Sequence, residues 1–236
     1  MKVLVTGATR RDGIGAATVL KFLSLGHEVT LTHRNALDWS PPPEVRAIRC
    51  DVTDLDQVDQ LCQTLDDHGG CDVFVSNAGF ARLNLTMRAK DDWFDSHINT
   101  NLKGPFAITR RVLPGMSRRR FGRIVYVSSI AAFYGPAGQA GYAAAKAGLT
   151  GLARTVTREL AVRNVTANVV APGLTKTAVA TGALGRALAD LEVQVPARRW
   201  AEPADIAHAI AFLASPESGY ISGVVLPVDG GLTMGH

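Results

Sequence analysis

Lys2-Val3-Leu4-Val5-Thr6-Gly7-Ala8-Thr9-Arg10-Arg11-Asp12-Gly13-Ile14-Gly15 is the stretch on which the fold turns. Its first residues, Lys2–Thr6, are a short β-branched apolar run that reads as a strand. A glycine-rich turn follows, and from Gly13 to about Leu25 the pattern is helical, ended by Gly26. Glycines in such a turn let backbone amides approach a pyrophosphate, with the positive end of the helix dipole behind them. Five residues separate Gly7 from Gly13 and no Lys-Ser/Thr pair follows, so this is not a Walker loop. Nor does it have the GxGxxG form. By itself it is equally a plain strand-to-helix turn.

The same alternation runs outward along the chain. Strands are expected at Glu28–Thr32, Val45–Cys50, Asp72–Ser76, Arg123–Ser128, Val165–Val170 and Val224–Val228. Helices are expected from about Asp54 to His68, near Ala89–Met116, at Tyr142–Arg163 and at Pro203–Ala214. The strands are nearly continuous apolar runs, as strands covered on both faces must be. Seven strands interleaved with helices imply an α/β, doubly wound, parallel seven-stranded sheet of Rossmann type with helices on both faces. Pro41–Pro43 is the densest proline cluster and reads as a loop. No linker interrupts the pattern, so residues 1–236 are expected to form a single domain.

Composition excludes several classes of function. With 47% hydrophobic and 19% charged residues in 236, the chain has ample apolar material for one core and is not disordered. Twenty-five Lys and Arg against 21 Asp and Glu give a net +4, an excess too mild to imply nucleic-acid binding. Cys50, Cys62 and Cys71 are odd in number and lack CxxC spacing, so they read as free thiols of a reducing compartment. The six histidines show no paired ligand spacing, and no metal site is expected. The apolar run Val3–Val5 is too short to be expected to act as a secretion signal, and no apolar run nears the roughly 20 residues that span a bilayer. A soluble cytoplasmic protein with no membrane association is the expectation.

The glycine turn resembles the TGxxxGxG cofactor motif of the short-chain dehydrogenases/reductases, with two extra residues between the first two glycines. Other landmarks of that family follow in order: Asp51–Val52, the pair that holds the adenine; Asn77-Ala78-Gly79, beside the ribose; and Pro172–Gly173, next to the nicotinamide. Thr177 then aligns with a hydroxyl that contacts the carboxamide. The resemblance covers essentially the whole chain. It implies a dinucleotide held by Gly7, Thr9, Gly13, Ile14 and Gly15, with Arg10 or Arg11 leaning toward its phosphates or pointing into solvent. An acidic residue after the second strand would repel a 2′-phosphate, but Thr32-His33-Arg34-Asn35 stands there. A guanidinium at Arg34 can pair with that phosphate, so NADP(H) is the expected cofactor; otherwise Arg34 is a surface charge.

Tyr142-Ala143-Ala144-Ala145-Lys146 puts a phenol and an ammonium one helical turn apart, with Ser129 thirteen residues upstream. A Tyr-x-x-x-Lys pair is common in helices and is usually structural. The added serine and the dinucleotide turn give it a catalytic reading. Hydride transfer to a carbonyl carbon builds charge on the oxygen, which then needs a proton donor and a hydrogen-bond donor. Tyr142 suits the first role and Ser129 the second, with Ser128 as neighbouring candidate. Lys146 is expected to lower the phenol pKa and, by resemblance, to hold the nicotinamide ribose together with Tyr142. Asn101 aligns with the family's fourth catalytic residue, which supports a water-linked proton relay. Asn99 stands close by, and a local backbone hydrogen bond is the alternative role for either.

Within the family the chain most resembles the 3-oxoacyl-acyl carrier protein reductases, through Gly138–Gly148, Asn168–Gly173, Gln194-Val195-Pro196 and Tyr220–Gly223. That implies NADPH-dependent reduction of a 3-oxoacyl chain in fatty-acid or polyketide synthesis, on a carrier docked at Arg120 and Arg163. A solvated arginine run, Arg118–Arg120, is the plainer reading of those charges. It also implies a homotetramer, with the helices around Ala89–Met116 and Tyr142–Arg163 across one interface, and a segment including Ala178 to Leu191 that closes over substrate. Reduction of a free small-molecule ketone and non-catalytic dinucleotide binding are the competing functions.

Overall fold

A computed structural model describes residues 1–177 and 192–234. Seven parallel strands form one sheet: β1 (Lys2–Val5), β2 (Glu28–His33), β3 (Arg46–Arg49), β4 (Val73–Ser76), β5 (Gly122–Val127), β6 (Val165–Pro172) and β7 (Val225–Val228), in the order β3-β2-β1-β4-β5-β6-β7. Successive side chains of a strand face opposite ways, and this divides the core into two layers. Leu4, Phe74, Ile124 and Tyr126 face α2 (Leu55–Asp67), α4 (Gly104–Arg119) and α6 (Ala140–Leu160). Val3, Val5, Val73, Val75 and Val125 face α1 (Ile14–Ser24) and α7 (Pro203–Leu213), whose Val19, Phe22, Ile206 and Ile210 complete the other layer. Both faces of β5 and β6 are buried, which accounts for their largely apolar sequences, with Arg123, Thr166 and Asn168 as buried polar exceptions.

The margins carry charge and proline instead. Edge strand β3 is Arg-Ala-Ile-Arg and largely exposed, and edge strand β7 holds Pro227, whose missing N–H a central strand would not tolerate. Asp54 caps α2 by accepting from the Asp56 and Gln57 amides, and a reciprocal Glu202–Asp205 box opens α7. Arg123, fully buried beneath the sheet's amino edge, donates to the carbonyls of Gly122, Asn164 and Ser215 and lies over the Phe121 ring. The three cysteines are free and buried, and desolvation pushes their thiols up to about 11 or 12. No described helix is long and apolar enough to cross a membrane.

One expected element divides in two. The helix read over Ala89–Met116 is α3 (Asp91–Ile98) and α4, joined by a π-helical turn at Asn99–Lys103. A π turn inserts a residue into the helical ladder and re-aims the side chains within it. Between β1 and β4 the strand order reverses, and beyond the carboxyl ends of the strands this leaves a crevice where α/β sheets bind ligands.

Candidate active site

That crevice is a cleft of about 670 Å³. Its floor is the turn after β1, which is locked to the turn after β4. Thr6 Oγ1 accepts from the Asn77 and Ala78 amides, each at 3.1 Å. Asn77 Nδ2 returns the bond to the carbonyls of Thr6 (2.9 Å) and Gly7 (3.0 Å). Glycine is required at position 7: its φ is +72°, and a Cβ there would lie 2.5 Å from the Ala78 Cα. Gly15 is equally confined, with Asn77 Nδ2 and the Gly7 carbonyl 2.7 Å from where a Cβ would stand. Gly13 starts α1 without a side-chain cap, so the helix presents its amino end to the cleft.

The enlarged turn is strapped from outside by the segment after β2. Trp39 Nε1 donates to the Ala8 carbonyl (2.9 Å), the Asp38 amide to the Thr9 carbonyl (3.1 Å), and Asp38 Oδ1 accepts from the Arg11 amide (2.7 Å). Arg10 lines the cleft and pairs with Asp12 at 3.0 Å and Asp38 at 3.7 Å. Arg11 does not line it; its guanidinium lies 5.6 Å from the centre of the Trp39 ring. Nothing in the sequence pattern singled out Asp38 or Trp39, which join the turn only through the fold.

Arg34 stands at the same end, exposed and 3.9 Å from Asp51, whose other oxygen is held by Thr53. Thr9, Ile14, Val52, Ala78, Gly79, Pro172, Gly173 and Thr177 also line the cleft.

At the opposite end β5 and α6 converge. Lys146, buried, donates from Nζ to the Val127 carbonyl at 2.7 Å. Ser128 is buried too and donates to the Lys146 carbonyl at 2.9 Å, which makes it a brace between strand and helix. Ser129 faces the cleft, and its hydrogen bond draws the Tyr142 phenol down. Burial acts more strongly, so the phenol sits above its ordinary value. The Lys146 ammonium, 5.6 Å from the ring centre, does not bring the phenol below its ordinary value, and desolvation pushes Lys146 itself down to about 8.

Asn101 lies behind this end, in the π turn and fully buried. Its Nδ2 donates to the carbonyls of Phe80 (3.1 Å) and His97 (3.0 Å), and its Oδ1 accepts from the Phe80 amide (3.2 Å). Only Gly79 separates it from Lys146: a Cβ on Gly79 would stand 2.5 Å from Asn101 Oδ1 and 3.4 Å from Lys146 Nζ. Phe80, Ile130, Leu174 and Tyr134, the last residue of the short helix α5 (Ala131–Tyr134), give this end an apolar wall that the sequence reading missed, because connections and a single helical turn show no periodicity. Ala178 to Leu191, expected to close over substrate, lie outside the described residues. Arg120 and Arg163 are exposed at the amino ends of β5 and β6, across the sheet from the cleft by roughly 20 Å of strand.

The glycine cradle, the uncapped helix end and the two arginines fit a dinucleotide with its phosphates on the turn. A family model described as enoyl-(acyl carrier protein) reductase matches residues 7–233. The 3-oxoacyl-[acyl-carrier-protein] reductase MabA of Mycobacterium tuberculosis (strain ATCC 25618 / H37Rv) is 43% identical over 236 residues, covering 99% of this chain and 93% of that protein. The 3-oxoacyl-[acyl-carrier-protein] reductase FabG of Vibrio harveyi is 40% identical over 237 residues, with 98% and 96% covered. That of Thermotoga maritima is 39% identical over 240, with 98% and 97% covered.

Proposed function

The chain belongs to the short-chain dehydrogenase/reductase family, and from that premise we propose that it reduces 3-oxoacyl thioesters on an acyl carrier protein to 3-hydroxyacyl thioesters, using NADPH. The observation that carries this reading is the convergence of Ser129, Tyr142 and Lys146 at one end of a cleft whose other end is a glycine turn flanked by Arg10 and Arg34.

When bound, the reduced nicotinamide supplies the hydride. Gly7, Gly13, Gly15, Asn77, Asp51 and Arg34 would hold the dinucleotide, and Thr177 and Pro172–Gly173 would lie toward its nicotinamide end. Tyr142 then gives its proton to the developing alkoxide, while Ser129 donates a hydrogen bond to the same oxygen. The raised phenol pKa keeps that proton on Tyr142 at neutral pH, as a reductase requires. Lys146, anchored to Val127, presents its charge beside the phenol and the ribose site. Asn101 fixes the Phe80 backbone and the wall next to Lys146. The apolar wall of Phe80, Ile130 and Tyr134 suits an acyl chain.

The exposed charges of Arg120 and Arg163 serve encounter with an acidic carrier rather than chemistry, since they lie far from the cleft. A groove of about 400 Å³ between α4 and α6, lined by Phe106, Leu113, Leu152 and Leu160, supports assembly into a tetramer through those helices.

Product identification tests the reading. Purified protein with NADPH is expected to convert acetoacetyl-carrier protein to the 3-hydroxy product faster than it converts a panel of free ketones. Preference for a free ketone overturns the carrier assignment. An Arg120→Glu variant is expected to lose rate on carrier-bound substrate and keep it on a free thioester.

A further inference from the structure

The segment after β2 brings a carboxylate to the phosphate end of the cleft, against the enlarged glycine turn. Asp38 is tied to that turn twice through the backbone, its amide to the Thr9 carbonyl and its Oδ1 to the Arg11 amide. Its second oxygen, Oδ2, lies 3.7 Å from Arg10 Nη1, the guanidinium nitrogen that Asp12 leaves over, since Asp12 takes Arg10 Nε at 3.0 Å and Nη2 at 3.4 Å. Arg10 and Asp38 both line the cleft, and both are about half exposed, so an incoming anion can compete for the pair. Asp38 comes from the segment after β2, four residues beyond Arg34, so a 2′-phosphate received between Arg34 and Arg10 must also approach the Asp38 carboxylate and is repelled by it. A ribose hydroxyl in its place meets a hydrogen-bond acceptor instead.

We propose that Asp38 sets the balance between NADPH and NADH by holding Arg10 while bracing the enlarged turn. The assignment rests on the dinucleotide reading above and concerns selectivity within it. Asp38 is in this sense a positioning residue that acts through Arg10.

Dissociation constants for NADPH and NADH, measured by fluorescence titration on wild type, Asp38→Asn, Asp38→Ala, Arg10→Ala and the Arg10→Ala/Asp38→Asn double variant, test this. Asparagine keeps an oxygen for the Arg11 amide and replaces the charged oxygen facing Arg10 with an uncharged amide NH2. Asp38→Asn is therefore expected to favour NADPH over NADH by about five-fold more than wild type does, the size of an exposed charge pair. Added salt shrinks that shift, and in the Arg10→Ala background it disappears, because the two sites are coupled. Asp38→Ala also loses the brace and is expected to weaken NADH binding, which Asp38→Asn leaves unchanged. An Asp38→Asn selectivity equal to wild type overturns the proposal, as does a shift that persists in full without Arg10. Should wild type bind NADH the more tightly, the NADPH assignment falls, yet the direction of the Asp38→Asn shift still judges Asp38.

Discussion

At the end of the cleft where β5 meets α6, polar groups are buried and committed: Lys146 to Val127, Ser128 to Lys146, Asn101 to Phe80 and His97. At the end beyond β2, Arg10, Arg34, Asp12, Asp38 and Asp51 are partly exposed and meet in pairs of 3.0, 3.7 and 3.9 Å. Buried bonds fix geometry, because an unsatisfied partner is costly there, whereas exposed pairs exchange freely with ions and ligands. The first end is therefore expected to set turnover and the second to set affinity. Substitutions should divide along the same line.

The largest effect is expected at Tyr142. Tyr142→Phe removes the only hydroxyl proposed to protonate the alkoxide, and turnover should fall by about 10³-fold, within the usual range for a lost general acid. NADPH affinity should stay within about two-fold, since the ring and Lys146 remain. Steady-state kinetics beside a binding titration check both halves. Turnover near wild type would remove the distinction between the two ends.

Next is Gly79→Ala. The added methyl meets Asn101 Oδ1 at 2.5 Å, so Asn101 or the Phe80 loop must give way next to Lys146. Displacements of that size can cost about 10²-fold in rate. The expected outcome is a loss in kcat and a lowered melting temperature, since buried Asn101 hydrogen bonds are disturbed, with dinucleotide affinity little changed. A loss confined to affinity would mean that Asn101 serves the binding end.

Much of the committed end was legible in the sequence, and little of the exposed one. Tyr142 and Lys146 sit four apart on a regular helix, so their shared face follows from helical geometry, and the strands that carry the cleft are largely apolar runs. The Asn99–Lys103 π turn was not legible, because a helical pattern runs through it and only packing selects the extra residue. The sign of the phenol shift was missed for a related reason: a nearby lysine is visible in sequence, while desolvation depends on how deeply α6 seats the ring. Asp38 and Trp39 reach the glycine turn from across β2, through single hydrogen bonds that leave no periodicity to read.

A pH profile sharpens the contrast further. Desolvation holds Lys146 down at about 8, while the Tyr142 phenol is pushed up. In the free enzyme the ammonium is present below about 8 and lost above it, before the phenol ionises. The kcat/KM for carbonyl reduction, which reports free-enzyme groups, should therefore decline above pH 8 and be about tenfold lower by pH 9. Bound dinucleotide brings negative charge near Lys146 and raises its pKa, so the decline in kcat should begin at higher pH. Identical limbs in both parameters would place the titrating group outside this end of the cleft.

The smallest effect belongs to Arg34, and it bears most directly on the exposed end. Its side chain is 56% exposed and only 3.9 Å from Asp51, although its carbonyl is held by Arg49 Nε at 3.3 Å. The backbone is thus fixed while the guanidinium is available to a 2′-phosphate. An exposed charge pair is worth at most about 1 kcal/mol, so Arg34→Ala should weaken NADPH binding by about five-fold or less. NADH, lacking the phosphate, should be unaffected, and the NADPH loss should fade with added salt. Equal losses for both cofactors would assign Arg34 to the adenine or ribose instead of the phosphate. A hundred-fold loss specific to NADPH would show that this end holds its ligand as firmly as the other holds Lys146, and the division between a committed and an exchangeable end would no longer stand.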